Sequence, residues 1–159
     1  MGHHGLFGKQ NMYEHSMRVP LMLTGPAIKP DKIRSPVYLQ DIMPTTLELA
    51  GVPVPPQVQF SSLLPAIRGG GGAYDAVYGG YMDLQRMIVK GNYKMILYPK
   101  IKKIRLYNLK KDPNEMTDLA GNKKYKTVMK KLFAKLLALQ NEVGDTLDLR
   151  TVYTEYNTW

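Results

Sequence analysis

Short apolar runs separated by glycine and proline characterise the first half of this chain. Residues 19–24 form such a run after a glycine-rich, polar start, and a Gly-Pro pair ends it. This pattern predicts a loop that leads into a buried strand. Asp41 can cap a helix that continues to Ala50, and Gly51 follows at the position where helices commonly stop.

A proline-rich linker and a glycine run follow the predicted helix. Residues 52–60 predict a stiff extended segment, and the serine pair at 61–62 can begin one or two further helical turns. Four consecutive glycines at 69–72 give the chain its most flexible point. We therefore expect two domains, residues 1–72 and residues 73–159.

Beyond the glycine run, apolar residues recur in short segments typical of strands. Gly91 and Asn92 separate two of these segments and form a two-residue loop that favours a tight hairpin. The middle two strands are therefore expected to pair antiparallel. The predicted strands are residues 74–78, 84–90, 93–98 and 104–109.

The last apolar pattern has the period of a helix. Apolar residues recur at i, i+3, i+4, i+7, i+8, i+11 and i+12, which predicts an amphipathic helix over about 123–143 that stops at Gly144. One helix on one face of a small antiparallel sheet is an α+β unit. The apolar residues are Tyr125, Val128, Met129, Leu132, Phe133, Leu136 and Leu137.

The composition is that of a globular protein, with 44% hydrophobic and 22% charged residues among 159. The absence of cysteine excludes a disulfide framework and a cysteine nucleophile but leaves the compartment open. No apolar run approaches the ~18 residues of a membrane span, so no membrane partner is expected. The N-terminus lacks the pattern of a signal peptide, so either the protein is cytoplasmic or its true beginning lies upstream.

Basic residues outnumber acidic ones by 22 to 13, a net charge of +9. This excess suggests a polyanionic partner, either nucleic acid or a sulfated polysaccharide. A solvated helix face is the alternative, and it is favoured over nucleic acid because the opposite face of the helix is apolar, as a helix that covers a core requires. Those lysines are at positions 123, 124, 126, 130, 131 and 135.

Histidines and a carboxylate near the N-terminus are candidate metal ligands. His3, His4, Glu14 and His15 have the donor chemistry that zinc and similar ions accept. Their spacing matches no established ligand pattern, which favours solvated or hydrogen-bonded histidines. We therefore predict no metal site in this chain.

Several segments together resemble the type I sulfatases. The stretch G-H-H-G-L-F-G-K-Q-N-M-Y-E-H-S-M-R-V-P-L-M, from Gly2, is similar to the family segment that follows its metal-binding Asp-Asn pair. Further blocks agree in the same order, and the resemblance extends from residue 2 to about residue 148. These blocks are residues 41–55, 61–69, 92–98, 106–115 and 118–120.

The resemblance implies a fold and a reaction. The fold is the C-terminal part of an alkaline-phosphatase-like α/β sandwich, followed by a small antiparallel sheet packed by a long C-terminal helix. The reaction is hydrolysis of sulfate esters, with a formylglycine nucleophile made from Cys or Ser in C/S-x-P-x-R and one calcium ion. This chain has neither that motif nor the metal-ligand segments. Calcium and formylglycine are therefore expected only in the full-length enzyme, and this chain is expected to be inactive alone.

Lys9 is the candidate residue for binding sulfate. Hydrolysis of a sulfate ester requires fixed positive groups that hold the anion, and Lys9 is an ammonium on a loop whose glycines allow close approach. The resemblance places Lys9 at the family's sulfate-binding lysine and His4 at the rim of the same pocket. An ordinary solvated lysine is the alternative. Glu14 and Arg18 are interpreted as structural ion-pair partners or loop anchors.

Our leading hypothesis is therefore the C-terminal fragment of a sulfatase. One alternative is a phosphomonoester or phosphonate hydrolase of the same superfamily, and another is a non-catalytic basic module for sulfated polysaccharide. The expected partners are a sulfate ester and the missing N-terminal catalytic part, and surface exposed by truncation suggests a homo-oligomer. The resemblance implies a periplasmic or secreted protein if the upstream part carries a signal peptide.

Overall fold

The computed structural model describes residues 2–6, 8–26 and 28–156. Contacts divide the chain into two units, one of residues 1–19 and 78–159 and the other of residues 20–77. The helices are α1 (Glu14–Met17), α2 (Ile42–Leu49), α3 (Leu64–Ile67) and α4 (Lys126–Glu142), and the strands are β1 (Val77–Tyr81), β2 (Gln85–Lys90), β3 (Tyr93–Tyr98) and β4 (Lys103–Asn108). None of the described helices combines the length and the apolar character needed to cross a membrane.

The four strands form one sheet in the order β1-β2-β3-β4. Strands β2 and β3 pair antiparallel with Lys90 opposite Tyr93, so the two residues between them form the predicted hairpin loop. Gly91 adopts a φ of +57°, a left-handed conformation that glycine accepts without a side-chain clash. The predicted fold class, with its small antiparallel sheet and long C-terminal helix, is confirmed.

Helix α4 covers one face of the sheet, as its apolar pattern predicts. Met129, Phe133 and Leu136 are buried, and α4 packs mainly against β2. Arg86 of β2 forms an ion pair with Asp145, which lies just beyond the end of α4, with 2.5 Å between Nε and Oδ2. This pair links the end of the helix to the sheet.

The N-terminal segment covers the opposite face of the sheet. The backbone N–H of Met12 donates to Gln85 Oε1 at 3.1 Å, and the Tyr13 ring lies 5.9 Å from the ring of Tyr107. Alternation along a strand places Gln85 and Arg86 on opposite faces. The central strand β3 is therefore buried from both sides, and Ile96 and Leu97 are both fully inaccessible to solvent.

This packing groups residues 1–19 with the sheet, whereas the glycine run predicts that they belong with residues 20–72. The sequence gives no local signal for the difference, because the contacts join segments about 70 to 100 residues apart. That residues 1–72 belong to the main α/β domain of a full-length sulfatase stays a prediction.

Residues 20–77 form the second unit, in which Asp41 is completely buried. The predicted helix is present and ends before Gly51, whose φ is +67°. Asp41 does not cap it as expected, because a 3₁₀ turn at Leu39–Asp41 comes first and the Asp41 carboxylate accepts the N–H of Tyr38 at 2.7 Å. The same carboxylate accepts the hydroxyl of Tyr74 at 2.6 Å.

Two predicted strands differ from the structure. The predicted strand at 19–24 is absent, and Met22 is 87% exposed, because no strand in the described part of the chain pairs with this segment. The first sheet strand begins at Val77 rather than at residue 74. Tyr74 is excluded from it because its hydroxyl is held by Asp41 within the other unit.

Candidate functional site

Lys9 lies on an exposed bend immediately before a buried stretch of the N-terminal segment. Gly8, which precedes it, has a φ of +89°, and an added Cβ there would meet no atom within 4 Å. Asn11, Met12 and Tyr13 are buried, and Asn11 Oδ1 accepts the N–H of Tyr13 at 3.1 Å. Lys9 therefore lies two residues before a segment that burial and hydrogen bonding hold in place.

The Lys9 side chain is open to solvent, and within the described residues it has no hydrogen-bond or ion-pair partner. A lysine whose charge is not already neutralised by a neighbouring carboxylate can bind an anion without first breaking an internal pair. The structure therefore leaves this cation available to an external anion.

His4, the second predicted site residue, lies against the aromatic ring of Tyr13. The two ring centroids are 3.9 Å apart at an interplanar angle of 10°, and the His15 ring lies 6.0 Å from each of them. His4 has a left-handed backbone, with φ +55° and ψ +22°. Stacking therefore holds the imidazole, and among the described residues no hydrogen bond joins it to Lys9.

The Nε2 atom of His4 is buried and has no hydrogen-bond partner within the described residues. A buried polar atom usually finds a partner, because leaving it unpaired costs free energy. The imidazole therefore keeps one unused hydrogen-bonding group beside the Tyr13 ring.

Three of the candidate metal ligands, His4, Glu14 and His15, do not assemble into a metal site, and the side chain of the fourth, His3, lies outside the described part of the structure. Within residues 2–6, 8–26 and 28–156, no group of three or more His, Cys, Asp or Glu side chains is placed to hold a metal ion. Glu14 is instead paired with Lys94, and His15 lies in the ring stack. The described side chains do not fit the calcium ion that the resemblance implies for the full-length enzyme.

Glu14 belongs to a charge cluster with Lys94 and Glu115, in which Lys94 and Glu115 are buried and Glu14 is partly exposed. Lys94 Nζ lies 2.9 Å from Glu14 Oε1 and 3.0 Å from Glu115 Oε1. The backbone N–H of Glu14 also donates to Glu115 Oε2 at 2.6 Å. The interpretation of Glu14 as a structural ion-pair partner agrees with this geometry, although its partner is Lys94 rather than Arg18.

Burial alters the acidity of the groups around this segment. Desolvation raises the pKa of the Glu115 carboxyl, and the Glu14 N–H and the Lys94 ammonium oppose that rise. Burial, followed by hydrogen bonding with Tyr13, also raises the pKa of Tyr98 and Tyr107. These phenols therefore remain neutral hydrogen-bonding groups at physiological pH.

The family model that matches this chain is described as N-sulphoglucosamine sulphohydrolase, C-terminal, and the match covers residues 2–142. It thus includes the Lys9 bend, the whole unit of residues 20–77, the four-stranded sheet and all of α4.

Curated relatives match over most of the chain. The N-acetylglucosamine-6-O-sulfatase of Bacteroides thetaiotaomicron is 33% identical over 91% of this chain, which spans 29% of that protein. The choline-sulfatase of Rhizobium meliloti is 33% identical over 77% of this chain, which spans 25% of its length. The chain therefore spans between a quarter and a third of the length of these two relatives.

A solved structure, described as BT4656 in complex with its substrate D-Glucosamine-2-N, 6-O-disulfate, has the same fold in this region. It superposes with a TM-score of 0.59 and 28% identity, over 67% of this chain and 24% of the other.

Proposed function

Because the chain belongs to the sulfatase family, as a member of its C-terminal region, we propose that it supplies Lys9 as a sulfate-binding residue of a sulfuric ester hydrolase. The observation that carries this proposal is the exposed ammonium of Lys9 on a bend that is fixed directly afterwards by buried residues. A fixed cation stabilises an anion in the transition state without having to be reorganised during the reaction.

Lys9 stabilises the reacting sulfuryl group electrostatically. As the ester bond breaks, negative charge increases on the leaving oxygen and redistributes over the sulfuryl oxygens. An ammonium at hydrogen-bond distance from one of these oxygens stabilises that distribution. Lys9 binds and orients the anion, and it does not serve as the nucleophile.

His4 contributes a hydrogen-bonding group at the rim of the same pocket. Its ring is held by stacking on Tyr13, and its Nε2 atom lacks a partner within the described residues. An imidazole can donate to an ester oxygen or accept from a substrate hydroxyl, depending on its tautomer, and because Nε2 is buried a substrate would have to displace the atoms that cover it. This role is consistent with the unused polar atom.

The nucleophile and the calcium ion belong to the part of the enzyme outside these 159 residues. In the complete enzyme, formylglycine would supply the nucleophile and calcium would polarise the sulfuryl oxygens. The isolated chain is accordingly expected to give no calcium-dependent hydrolysis of an aryl sulfate above a buffer blank. Turnover by the isolated chain would contradict this division.

Lys9→Ala in a complete sulfatase that carries this region tests the proposal. We expect kcat/KM for a sulfate ester to fall about 10- to 100-fold, the loss typical of one charged contact, and Lys9→Arg to recover part of it. Lys111→Ala is the matched control, because it removes an exposed lysine from the same unit. Equal kcat/KM for Lys9→Ala and the control would remove Lys9 from the site.

The net positive charge of the chain is concentrated in one of its two units. Residues 1–19 and 78–159 hold 18 of the 22 basic and 9 of the 13 acidic residues, so this unit carries the entire net charge of +9. No acidic residue lies between Asp118 and Glu142, where six lysines are found. We propose that this unit attracts a sulfated polysaccharide chain.

The affinity of the 159-residue chain for heparin, measured at several salt concentrations, tests this attraction. Neutralising four exposed lysines at the start of α4 is expected to weaken binding about tenfold and to reduce the salt dependence. The charge-matched control neutralises four exposed basic residues of the other unit and should weaken heparin binding less. Equal losses of heparin affinity in the two variants would contradict the proposal. The two sets, each changed to Gln, are Lys123, Lys124, Lys126 and Lys131, and Lys29, Lys32, Arg34 and Arg68.

A further inference from the structure

Glu14 is attached to two distant parts of the chain at once. Its carboxylate is 2.9 Å from Lys94 Nζ on strand β3, and its backbone N–H donates to Glu115 at 2.6 Å. These partners are 80 and 101 residues away in sequence. Strand β3 therefore holds the side chain of Glu14, and the turn after β4 holds its backbone.

Lys94 lies in the middle of the sheet and is completely buried. It is directly opposite Tyr107 on β4, so both side chains point to the face covered by the N-terminal segment. A buried ammonium is costly unless it is paired with carboxylates. Glu14 and Glu115 supply that pairing, which makes the position of the N-terminal segment part of what stabilises this strand.

Glu115 reaches the cluster from a strained turn. It is 1% exposed, its φ is +57°, and its N–H donates to the Asp112 carbonyl at 3.2 Å. A left-handed backbone is uncommon for a residue other than glycine and persists only where the surroundings enforce it. The turn thus directs a carboxylate into the interior, where one oxygen meets the Glu14 N–H and the other lies near Lys94.

We infer that Lys94 and Glu115 are positioning residues for Lys9, an inference that rests on the proposed sulfate-binding function of Lys9. Only four residues separate Lys9 from Glu14, and Met12 between them is tied to Gln85. Such a short tether transmits a shift of Glu14 directly to the bend that carries Lys9. Strand β3 and the turn after β4 therefore fix the position of Lys9 through the ion cluster of Glu14, Lys94 and Glu115.

The charges of the cluster predict how its variants differ. It contains one cation and two carboxylates, so changing either carboxylate to an amide leaves a neutral pair. Lys94→Met instead leaves two carboxylates facing each other without a cation. Glu115→Gln also keeps an oxygen that can accept the Glu14 N–H, whereas Glu115→Ala removes it.

Hydrogen exchange of the full 159-residue chain measures the anchoring directly. In Lys94→Met and Glu115→Ala, the amides of residues 12–14 are expected to exchange about tenfold faster than in the wild type, and Glu115→Gln should restore most of the protection. Arg86→Met is the matched control, because it removes a buried cation from the opposite face of the same sheet.

Unchanged exchange at residues 12–14 in a folded Lys94→Met or Glu115→Ala protein would overturn the inference. Equal acceleration by Arg86→Met would also overturn it, since the effect would then be a general loss of stability. If Lys94→Met fails to fold, the comparison of Glu115→Ala with Glu115→Gln decides the question by itself.

A double-mutant cycle in a complete sulfatase carrying this region separates positioning from general support. If Lys94 acts through Lys9, Lys94→Met should lower kcat/KM about as much as Lys9→Ala and change it less than about twofold when Lys9 is already alanine. Fully multiplicative effects would overturn the positioning role. An unchanged kcat/KM in Lys9→Ala alone would instead refute the proposed function, while the exchange experiment would still report on the anchoring.

Discussion

Lys94 illustrates what the apolar pattern cannot show about a single residue. The sequence places it in a strand between apolar neighbours, but its complete burial depends on carboxylates 80 and 21 residues away. A buried lysine is identified only when its partners are known. Lys9, in contrast, is a candidate from the sequence alone, because the family resemblance of its segment rests on neighbouring residues that include Gly8.

The stability of the cluster follows from its charges. Lys94→Met should lower the free energy of unfolding by about 3–5 kcal/mol, because the buried Glu115 carboxylate and the partly exposed Glu14 carboxylate lose the cation that they share. Glu14→Gln should cost much less, since Lys94 and Glu115 remain as a pair. Urea denaturation of both variants checks this order, and equal losses would show that the cluster does not behave as one unit.

Elements with local signals were predicted well. The β2–β3 hairpin was predicted from Gly91-Asn92, and α4 from its apolar period, and both are present nearly at the expected residues. The strand predicted at 19–24 was wrong because an apolar run indicates burial, whereas a strand also requires a neighbouring strand. The packing of residues 11–17 on the sheet had no local signal at all.

The hairpin loop depends on the conformation of Gly91. Gly91→Ala should lower the free energy of unfolding by about 1 kcal/mol, because alanine is disfavoured at a φ of +57° although nothing lies within 4 Å of its Cβ. Gly121→Ala is the matched control, with equal space and no positive φ. Thermal unfolding compares the two, and a neutral Gly91→Ala would contradict this explanation.

The ion pair at the end of α4 predicts a dependence on pH. The Arg86 guanidinium holds the pKa of Asp145 well below its usual range. A lowered folded-state pKa gives stability that is present above the unfolded pKa of about 4 and is lost as the pH falls through the folded value.

The advantage of the wild type over Asp145→Asn should therefore be largest near neutral pH and should shrink below about pH 4. Denaturation of both proteins between pH 7 and pH 2 measures it. An advantage that grew on acidification would contradict the assigned pKa direction.

At the scale of the whole molecule, the sequence was sufficient for the family and the fold class. The ordered blocks indicated the C-terminal part of a sulfatase, and the family match over residues 2–142 confirms it. The grouping of residues 1–19 with residues 78–159 could not be predicted, because it depends on contacts across the length of the chain. Those contacts connect the Lys9 segment to the small sheet.

The affinity of a complete sulfatase carrying this region for inorganic sulfate, measured as a competitive inhibition constant, tests the central claim most directly. With Lys9 as the cation that holds the anion, Lys9→Ala should raise this constant about tenfold or more, and the control Lys111→Ala should leave it near the wild-type value. An inhibition constant unchanged by Lys9→Ala would contradict the claim that this region supplies the sulfate-binding lysine.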